Sequence, residues 1–245
     1  MARKSLFTVE DITVKYDHIT ALEHIKFDVY AGDFIAVVGV NGSGKTTLAK
    51  SILGLLRLSD GLIRWYNGTK VGYLPQHTNL EDRFFPATVN EVVSTGLLKD
   101  KPFPKWFNKQ DRQTIATTLK LFDIDNLAKK RFGQLSGGQQ QRVMLARSMV
   151  MSPDVLILDE PTSALDQHSR QRFMDLLKTL NHEQGLTIIL ITHDVAATES
   201  YVNRVLYLEK NLLFDGSFEK FCETQPFSPY IHTHPTRFEK QGGQQ

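Results

Sequence analysis

A glycine-rich segment at residues 39–47, with the sequence GVNGSGKTT, constrains this chain more than any other feature. It fits the pattern G-x-x-x-x-G-K-[ST]. An apolar run at residues 34–38 predicts a buried strand before it, and residues 48–56 predict a helix after it. Glycines let the backbone curl until several N–H groups point at one place, and the N-terminus of the following helix favours negative charge there. The segment therefore predicts a site for the phosphates of a nucleotide.

The side chains of this segment suit specific roles at such a site. Lys45 has the reach for the β- and γ-phosphates, and the hydroxyl of Thr46 suits a Mg²⁺ ligand. A glycine-rich turn without a phosphate is the alternative, and the flanking strand and helix make it the weaker one. We expect the nucleotide to be held by Gly39, Asn41, Gly42, Ser43, Gly44, Lys45, Thr46 and Thr47.

Composition narrows the class of protein. The chain has 245 residues, of which 41% are apolar and 23% charged, as in ordinary globular proteins. A net charge of +2 gives no strong field, so we expect no nucleic-acid partner. The single cysteine, Cys222, excludes an internal disulfide framework and fits a reducing compartment. No signal peptide and no apolar run of ~18 residues is present, so we expect any membrane-spanning part to be a separate subunit.

The order of predicted elements indicates an α/β protein. Residues 6–16 and 19–30 alternate apolar and polar side chains and predict an antiparallel pair. Residues 61–66 and 70–74 predict two more strands, joined as a hairpin by Asn67-Gly68. Buried strands are predicted at 155–158 and 186–192, a final hairpin at 204–209 and 211–215, and helices at 88–98, 109–122, 137–150, 167–181 and 194–200.

The middle of the chain reads as a mainly helical insertion. Thr88, with Glu91 three residues on, predicts a capped helix start. The aromatic residues of this region could be core or could form a partner-binding surface, and both readings stay open: Phe84, Phe85, Phe103, Trp106 and Phe107. We expect a single domain over 1–245, with a nucleotide-binding core at about 5–75 and 150–216, a helical subdomain at about 76–149, and a C-terminal extension and loose tail at about 217–245.

A pair of acids follows the predicted strand at residues 155–158. A buried parallel strand delivers such side chains to its carboxyl edge. Asp159 would hold Mg²⁺, and Glu160 would act as the general base for the water that attacks the γ-phosphate. Alone, an acid pair after a strand can be ordinary surface; beside a phosphate loop it is a strong signal.

A second anion site is predicted at Ser136, Gly137, Gly138 and Gln139. Ser136 can cap a helix, and the glycines leave N–H groups open along the helix dipole. An ordinary cap would need the serine but not both glycines. One phosphate loop has no use for two such helix ends, but two copies arranged head to tail do, because each copy could close the loop of the other.

Taken together, these motifs resemble those of the ATP-binding cassette ATPases, over residues 6 to about 215. The motifs occur in the family's order: residues 39–47, Gln76, residues 135–139, Asp159-Glu160, residues 163–166 and His193. The resemblance implies a P-loop NTPase core with a mostly parallel sheet, an N-terminal antiparallel β-subdomain and a helical subdomain inserted after the glutamine loop. It also implies that the chain binds ATP with Mg²⁺, dimerises head to tail and drives a membrane permease from the cytoplasmic face of the plasma membrane.

The resemblance assigns the remaining site residues. Tyr16 would stack on the adenine. Gln76 would touch Mg²⁺ or the attacking water. His193 would hydrogen-bond the γ-phosphate, and Asp166 would lie at the dimer seam.

Residues 85–93 and 101–107 are similar to the ATPase subunits of zinc and manganese uptake importers. Zinc is the first choice and manganese the second, with an extracytoplasmic metal-binding protein as an indirect partner. Of the eight histidines, only His232 and His234 form a close pair, which is a weak metal site by itself. Two other classes stay open: an ATP-binding cassette protein that acts on nucleic acid or ribosomes, and a small-molecule kinase.

Overall fold

The computed structural model describes residues 3–66, 68–76, 85–100 and 106–224, without the side chains of residues 99 and 100. Its strands are β1 Ser5–Tyr16, β2 Ile19–Tyr30, β3 Phe34–Val38, β4 Asp60–Trp65, β5 Val71–Leu74, β6 Val155–Asp159, β7 Thr187–Ile191, β8 Arg204–Glu209 and β9 Asn211–Gly216. Its α-helices are α1 Lys45–Ile52, α2 Val89–Ser94, α3 Lys109–Leu121, α4 Gly137–Met149, α5 Gln167–Gln184 and α6 Phe218–Glu223. Short 3-10 helices cover Thr95–Asp100, Asp125–Leu127, Phe132–Gln134 and Ala196–Thr198.

A six-stranded sheet in the order β5-β6-β7-β3-β8-β9 forms the centre of the molecule. All its pairings are parallel except that of β8 with β9. Every residue of β3, β6 and β7 is buried, which explains their unbroken apolar sequences, since both faces of these strands are covered. The mostly parallel sheet predicted from the sequence is confirmed.

A second, three-stranded sheet has the order β2-β1-β4 and is antiparallel throughout. Its apolar side chains pack with Ile35, Val37 and other residues from one face of the large sheet. Within this layer the rings of Phe7 and Trp65 lie 4.5 Å apart. The predicted antiparallel pair of the first two strands is therefore confirmed, and it forms a layer beneath the parallel sheet.

Helices α2, α3 and α4 pack together on the opposite face of the large sheet. The predicted cap of α2 is present: the backbone N–H of Thr88 donates to a Glu91 carboxylate oxygen at 2.7 Å, and the Thr88 hydroxyl accepts from the Glu91 N–H at 3.3 Å. The bond from the Thr88 N–H, together with one that the Thr88 hydroxyl donates to the same carboxylate at 2.8 Å, lowers the pKa of Glu91. The α-helix ends at Ser94, sooner than predicted, and a 3-10 turn follows where Gly96 lies against the Arg147 carbonyl.

The predicted hairpin between the fourth and fifth strands is wrong. β4 pairs with β1 in the small sheet, and β5 pairs with β6 in the large one. A turn signal is a property of a few neighbouring residues, whereas the strand with which another strand pairs depends on distant parts of the chain. Gly72 allows the close approach of β5 to its neighbours, because a side chain there would meet the Ser148 carbonyl at 2.5 Å. Asn67 lies outside the described residues.

Two shorter predictions also change. Residues 194–200 form only a 3-10 turn at Ala196–Thr198, in place of the predicted helix. Helix α6, which the sequence reading missed, follows β9 and buries Phe218 and Phe221. Residues 225–245, with His232 and His234, lie outside the described residues.

The aromatic residues of the middle region divide between the two readings. Phe85 and Phe107 are partly buried against the core, and Phe85 meets Phe132 edge to face at 6.5 Å. Trp106 is 79% exposed. Phe84 and Phe103 fall in undescribed segments. In the parts of the chain that the structure covers, no helix has the length and apolar character needed to cross a membrane.

Candidate nucleotide site

The glycine-rich segment connects β3 to α1 at the carboxyl edge of the parallel sheet, and Gly44 is the N-cap of the helix. Gly44 has a φ of 100°, in the left-handed region that favours glycine. Gly39 is required by space: an added Cβ would lie 2.1 Å from the Leu208 carbonyl oxygen. The segment thus curls tightly against β8, and the N-terminus of α1 faces the space above the sheet.

The side chain of Lys45 lies inside this curl. Its Nζ donates to the carbonyl oxygens of Gly39 at 2.8 Å and Val40 at 2.9 Å. Burial lowers the pKa of Lys45, and the carboxylates of Glu160 and Asp159 oppose that effect. A partly desolvated ammonium group held by the backbone of the loop, next to a helix N-terminus, is arranged to receive phosphate oxygens.

Asp159 ends β6 and is 1% exposed. Neither of its carboxylate oxygens has a hydrogen-bond partner among the described residues. Burial raises the pKa of Asp159, while the nearby hydroxyl of Thr46 acts in the opposite direction. A buried carboxylate whose oxygens have no hydrogen-bond partner among the described residues, with a hydroxyl close by, offers the oxygen ligands that a hard divalent cation prefers. Asp159 and Thr46 therefore fit the Mg²⁺ predicted from the sequence.

Glu160 turns away from Asp159 because its backbone has a φ of 47° and its N–H donates to the Ile191 carbonyl at 3.0 Å. One carboxylate oxygen of Glu160 accepts a hydrogen bond from Gln76 Nε2 at 3.2 Å. The same oxygen lies 3.4 Å from His193 Nδ1. Three predicted site residues, which follow β5, β6 and β7, therefore meet at one point.

A cavity of about 610 Å³ joins these groups to the glycine-rich segment. Its position at the carboxyl ends of parallel strands is where α/β proteins bind ligands. It is lined by Ala21, Asn41, Gly42, Gly44, Lys45, Thr46, Thr47, Gln76, Glu160 and His193.

The second predicted anion site lies elsewhere on the chain. Ser136 and Gln139 form a capping box, in which the Ser136 N–H donates to Gln139 Oε1 at 3.1 Å. These residues border a separate cavity of about 240 Å³. A Cβ added at Gly137 would have no atom within 4 Å among the described residues, so this end of α4 is open to a partner. Arg142 and Arg172, which the sequence reading missed, line the same cavity.

Comparison with known proteins decides the family. The model of the ABC transporter family matches residues 22–163, which is more than half of the chain. The chain belongs to the ABC transporter family. ABC cassettes bind ATP or ADP, and the chain has the P-loop NTPase fold predicted from its sequence.

Several ABC proteins are similar to this chain over most of its length. The zinc uptake system ATP-binding protein ZurA of Listeria innocua is 40% identical over 88% of this chain and 87% of its own. The high-affinity zinc uptake system ATP-binding protein ZnuC of Bacillus subtilis is 32% identical over 84% of this chain and 92% of its own.

Solved ABC structures show the same fold. An inward-facing ABC transporter assigned to the metal-chelate type superposes with a TM-score of 0.84 at 29% identity, covering 93% of this chain and 89% of that one. A dimeric bacterial ABC transporter cassette superposes with a TM-score of 0.73 at 26% identity, covering 86% of this chain and 98% of that one.

Tyr16 and Asp166 are among the predicted site residues that do not line this cavity. Tyr16 ends β1 and is 46% exposed, and Ala21 of β2 lines the cavity instead. Asp166 caps α5 by accepting from the Ser169 N–H at 3.0 Å and its hydroxyl at 2.7 Å, and these bonds lower the pKa of Asp166. The adenine role of Tyr16 and the dimer role of Asp166 stay predictions.

The tight curl of the glycine-rich segment gives a testable prediction. Gly39→Ala is expected to lower the free energy of unfolding by more than about 2 kcal/mol, because the new methyl group would overlap the Leu208 carbonyl. Denaturant unfolding measures this loss. Gly137→Ala, at a position with open space, serves as the control. An equal stability of both variants would contradict the close approach of the loop to β8.

Proposed function

We propose that this chain is the ATP-hydrolysing subunit of an ABC importer for metal ions, with zinc as the first choice and manganese as the second. The observation that carries the hydrolytic part is the convergence of Gln76, Glu160 and His193 on one point beside Lys45. The choice of metal rests on the zinc uptake relatives, ZurA and ZnuC.

The residues around the cavity divide the work of hydrolysis. Lys45 and the loop N–H groups bind the β- and γ-phosphates of ATP, and Glu160 accepts the proton of the attacking water. Gln76 orients that water, and His193 donates a hydrogen bond to the γ-phosphate. Thr46 and Asp159 would hold the Mg²⁺, with Gln76 as a further contact. When bound, Mg²⁺ neutralises negative charge on the phosphates.

One chain supplies only part of this site. The open end of α4, at Ser136, Gly137, Gly138 and Gln139, faces a different cavity from the one at the phosphate loop. A head-to-tail dimer places that end over the γ-phosphate of the other copy, with Asp166 at the seam and Tyr16 against the adenine. The existence of a dimeric cassette with the same fold supports the pairing of two copies. ATP then closes the dimer, and hydrolysis reopens it.

The membrane-spanning part of the importer is a separate permease, and this chain binds it from the cytoplasmic face of the plasma membrane. The helical subdomain at about 76–149 carries the movement to the permease, and the 79% exposed side chain of Trp106 is available for that contact. In this chain, the nucleotide-binding core at about 5–75 and 150–216 and the C-terminal extension at about 217–245 complete the proposed domain. An extracytoplasmic metal-binding protein delivers the ion to the permease.

Growth under metal limitation tests the proposed function. Cells that lack this chain are expected to grow poorly when zinc is withheld and to recover when the parent chain is restored. The Glu160→Gln variant is the matched control, because it preserves the size of the side chain and removes the general base, so it should fail to restore growth. A defect seen only under manganese limitation would reassign the metal, and a normal response to both metals would contradict metal import.

A further inference from the structure

His193 depends on its neighbours for its position. Its side chain is 59% exposed, so packing around the imidazole does not fix it beside Glu160. The preceding residue, Thr192, is held by a backbone hydrogen bond to the Val37 carbonyl at 3.2 Å. The backbone of His193 is therefore placed by its two neighbours in the chain, Thr192 on one side and Asp194 on the other.

Asp194 uses both carboxylate oxygens. One accepts from the N–H of Ala197, in the 3-10 turn, at 3.2 Å. The other accepts from Arg170 Nη1 at 2.8 Å, which connects this loop to helix α5. Both side chains of the pair are 35% exposed, and Arg170 Nε is buried without a hydrogen-bond partner among the described residues. Burying the Nε–H of a guanidinium group without a partner costs free energy, and the ion pair of Arg170 with Asp194 offsets part of that cost.

Arg170 also lies one helical turn after the cap of α5. Its N–H donates to the Asp166 carbonyl at 2.9 Å. Ser169, which donates to the capping carboxylate of Asp166, lies against the start of α4. A Cβ added at Gly138 would be 3.3 Å from the Ser169 hydroxyl oxygen. The starts of α4 and α5 are thus in contact, and Arg170 joins them to the loop that carries His193.

We propose that Arg170 is a positioning residue for ATP hydrolysis, which holds His193 beside Glu160 through its ion pair with Asp194. The inference rests on the proposed function, since it assigns a residue to the same hydrolytic site. It also gives a route by which docking of a second copy at the start of α4 reaches the γ-phosphate end of this copy's own site. A merely structural tie between α5 and the following loop is the alternative.

Measurements of steady-state hydrolysis and of ATP binding by purified variants distinguish the positioning role of Arg170 from a merely structural one. Arg170→Ala is expected to lower kcat about tenfold or more while leaving KM and the Kd for ATP within about twofold, because loss of position affects the reaction more than phosphate binding. Arg170→Lys, which can still reach Asp194 with one donor, should recover most of the rate. If Arg170→Ala is not obtained folded, Arg170→Gln takes its place with the same expectations.

Lys178 provides the matched control. It ties the same helix to the same following segment, since its Nζ donates to the Ser200 carbonyl at 3.1 Å, but it has no place at the site. Lys178→Ala is expected to keep the parent kcat. If it slows hydrolysis as much as Arg170→Ala does, the effect is a general loosening of α5 and the positioning role is wrong.

A double-mutant cycle with His193→Gln tests whether Arg170 acts on hydrolysis through His193. If Arg170 acts through His193, adding Arg170→Ala to His193→Gln should change kcat by less than about twofold. Losses that multiply would overturn the inference, as would an unchanged kcat in Arg170→Ala or a failure of Arg170→Lys to recover the rate. A parent protein that does not hydrolyse ATP would instead overturn the proposed function, and the inference with it.

Discussion

Glu160→Gln is expected to bind ATP with nearly the parent affinity while hydrolysing it roughly 10²–10⁴-fold more slowly, the range that general-base catalysis contributes. The glutamine retains the size of the side chain and an oxygen that can accept from Gln76 Nε2, which lies 3.2 Å from the glutamate. It cannot take up the proton of the attacking water. The affinity for ATP is preserved because Lys45 and the loop N–H groups, which bind the phosphates, are unchanged.

Single-turnover hydrolysis and ATP titration of the same preparation measure the two effects separately. Glu183→Gln, which makes the same change on an exposed turn of α5, is the control for the loss of one charge. Hydrolysis by Glu160→Gln at the parent rate would show that the base has been assigned to the wrong residue.

Lys45→Ala is expected to weaken ATP binding by about tenfold to a hundredfold. This corresponds to the loss of about 1.5–3 kcal/mol from charge-assisted hydrogen bonds. The substitution also removes the bonds from Nζ to the Gly39 and Val40 carbonyls, which hold the loop in its curled form. The phosphates would lose both the charge and part of the shape of their site.

Calorimetric titration with ATP measures the change in affinity. Lys120→Ala, on the exposed face of α3, removes the same charge away from the cavity and should bind like the parent. Binding by Lys45→Ala at the parent affinity would contradict the assignment of residues 39–47 as the phosphate loop.

The features that sequence predicted well are local ones. Unbroken apolar runs marked β3, β6 and β7, and side chains that bond three residues on marked the caps of α2 and α4. The convergence of Gln76, Glu160 and His193 could be expected because the residues after parallel strands meet at one edge of a sheet.

The features that it missed depend on distant parts of the chain. The turn signal at residues 67–68 did not reveal that β4 and β5 belong to different sheets, because the choice is made by β1 and β6. The ion pair of Arg170 with Asp194 joins a helix to a loop beyond the next strand, and neither residue stands in a motif. Likewise, only the folded structure shows that the Asp159 oxygens have no hydrogen-bond partner among the residues it describes.

Mixing two inactive variants tests the central claim, that each nucleotide site is shared between two copies. Lys45→Ala lacks a working phosphate loop but keeps the start of α4. Ser136→Asp keeps a good helix cap and places a negative charge where it would repel the phosphates. In a head-to-tail heterodimer, the loop of the second variant meets the intact α4 start of the first, so one complete site forms.

Each variant alone is expected to hydrolyse ATP at a small fraction of the parent rate, and the equimolar mixture should regain readily measurable hydrolysis. The measurement is ATP turnover at fixed total protein as the ratio of the two variants is varied, with a maximum predicted near equal amounts. Activity in the mixture that is no greater than the average of the two separate variants would contradict a site built from two copies.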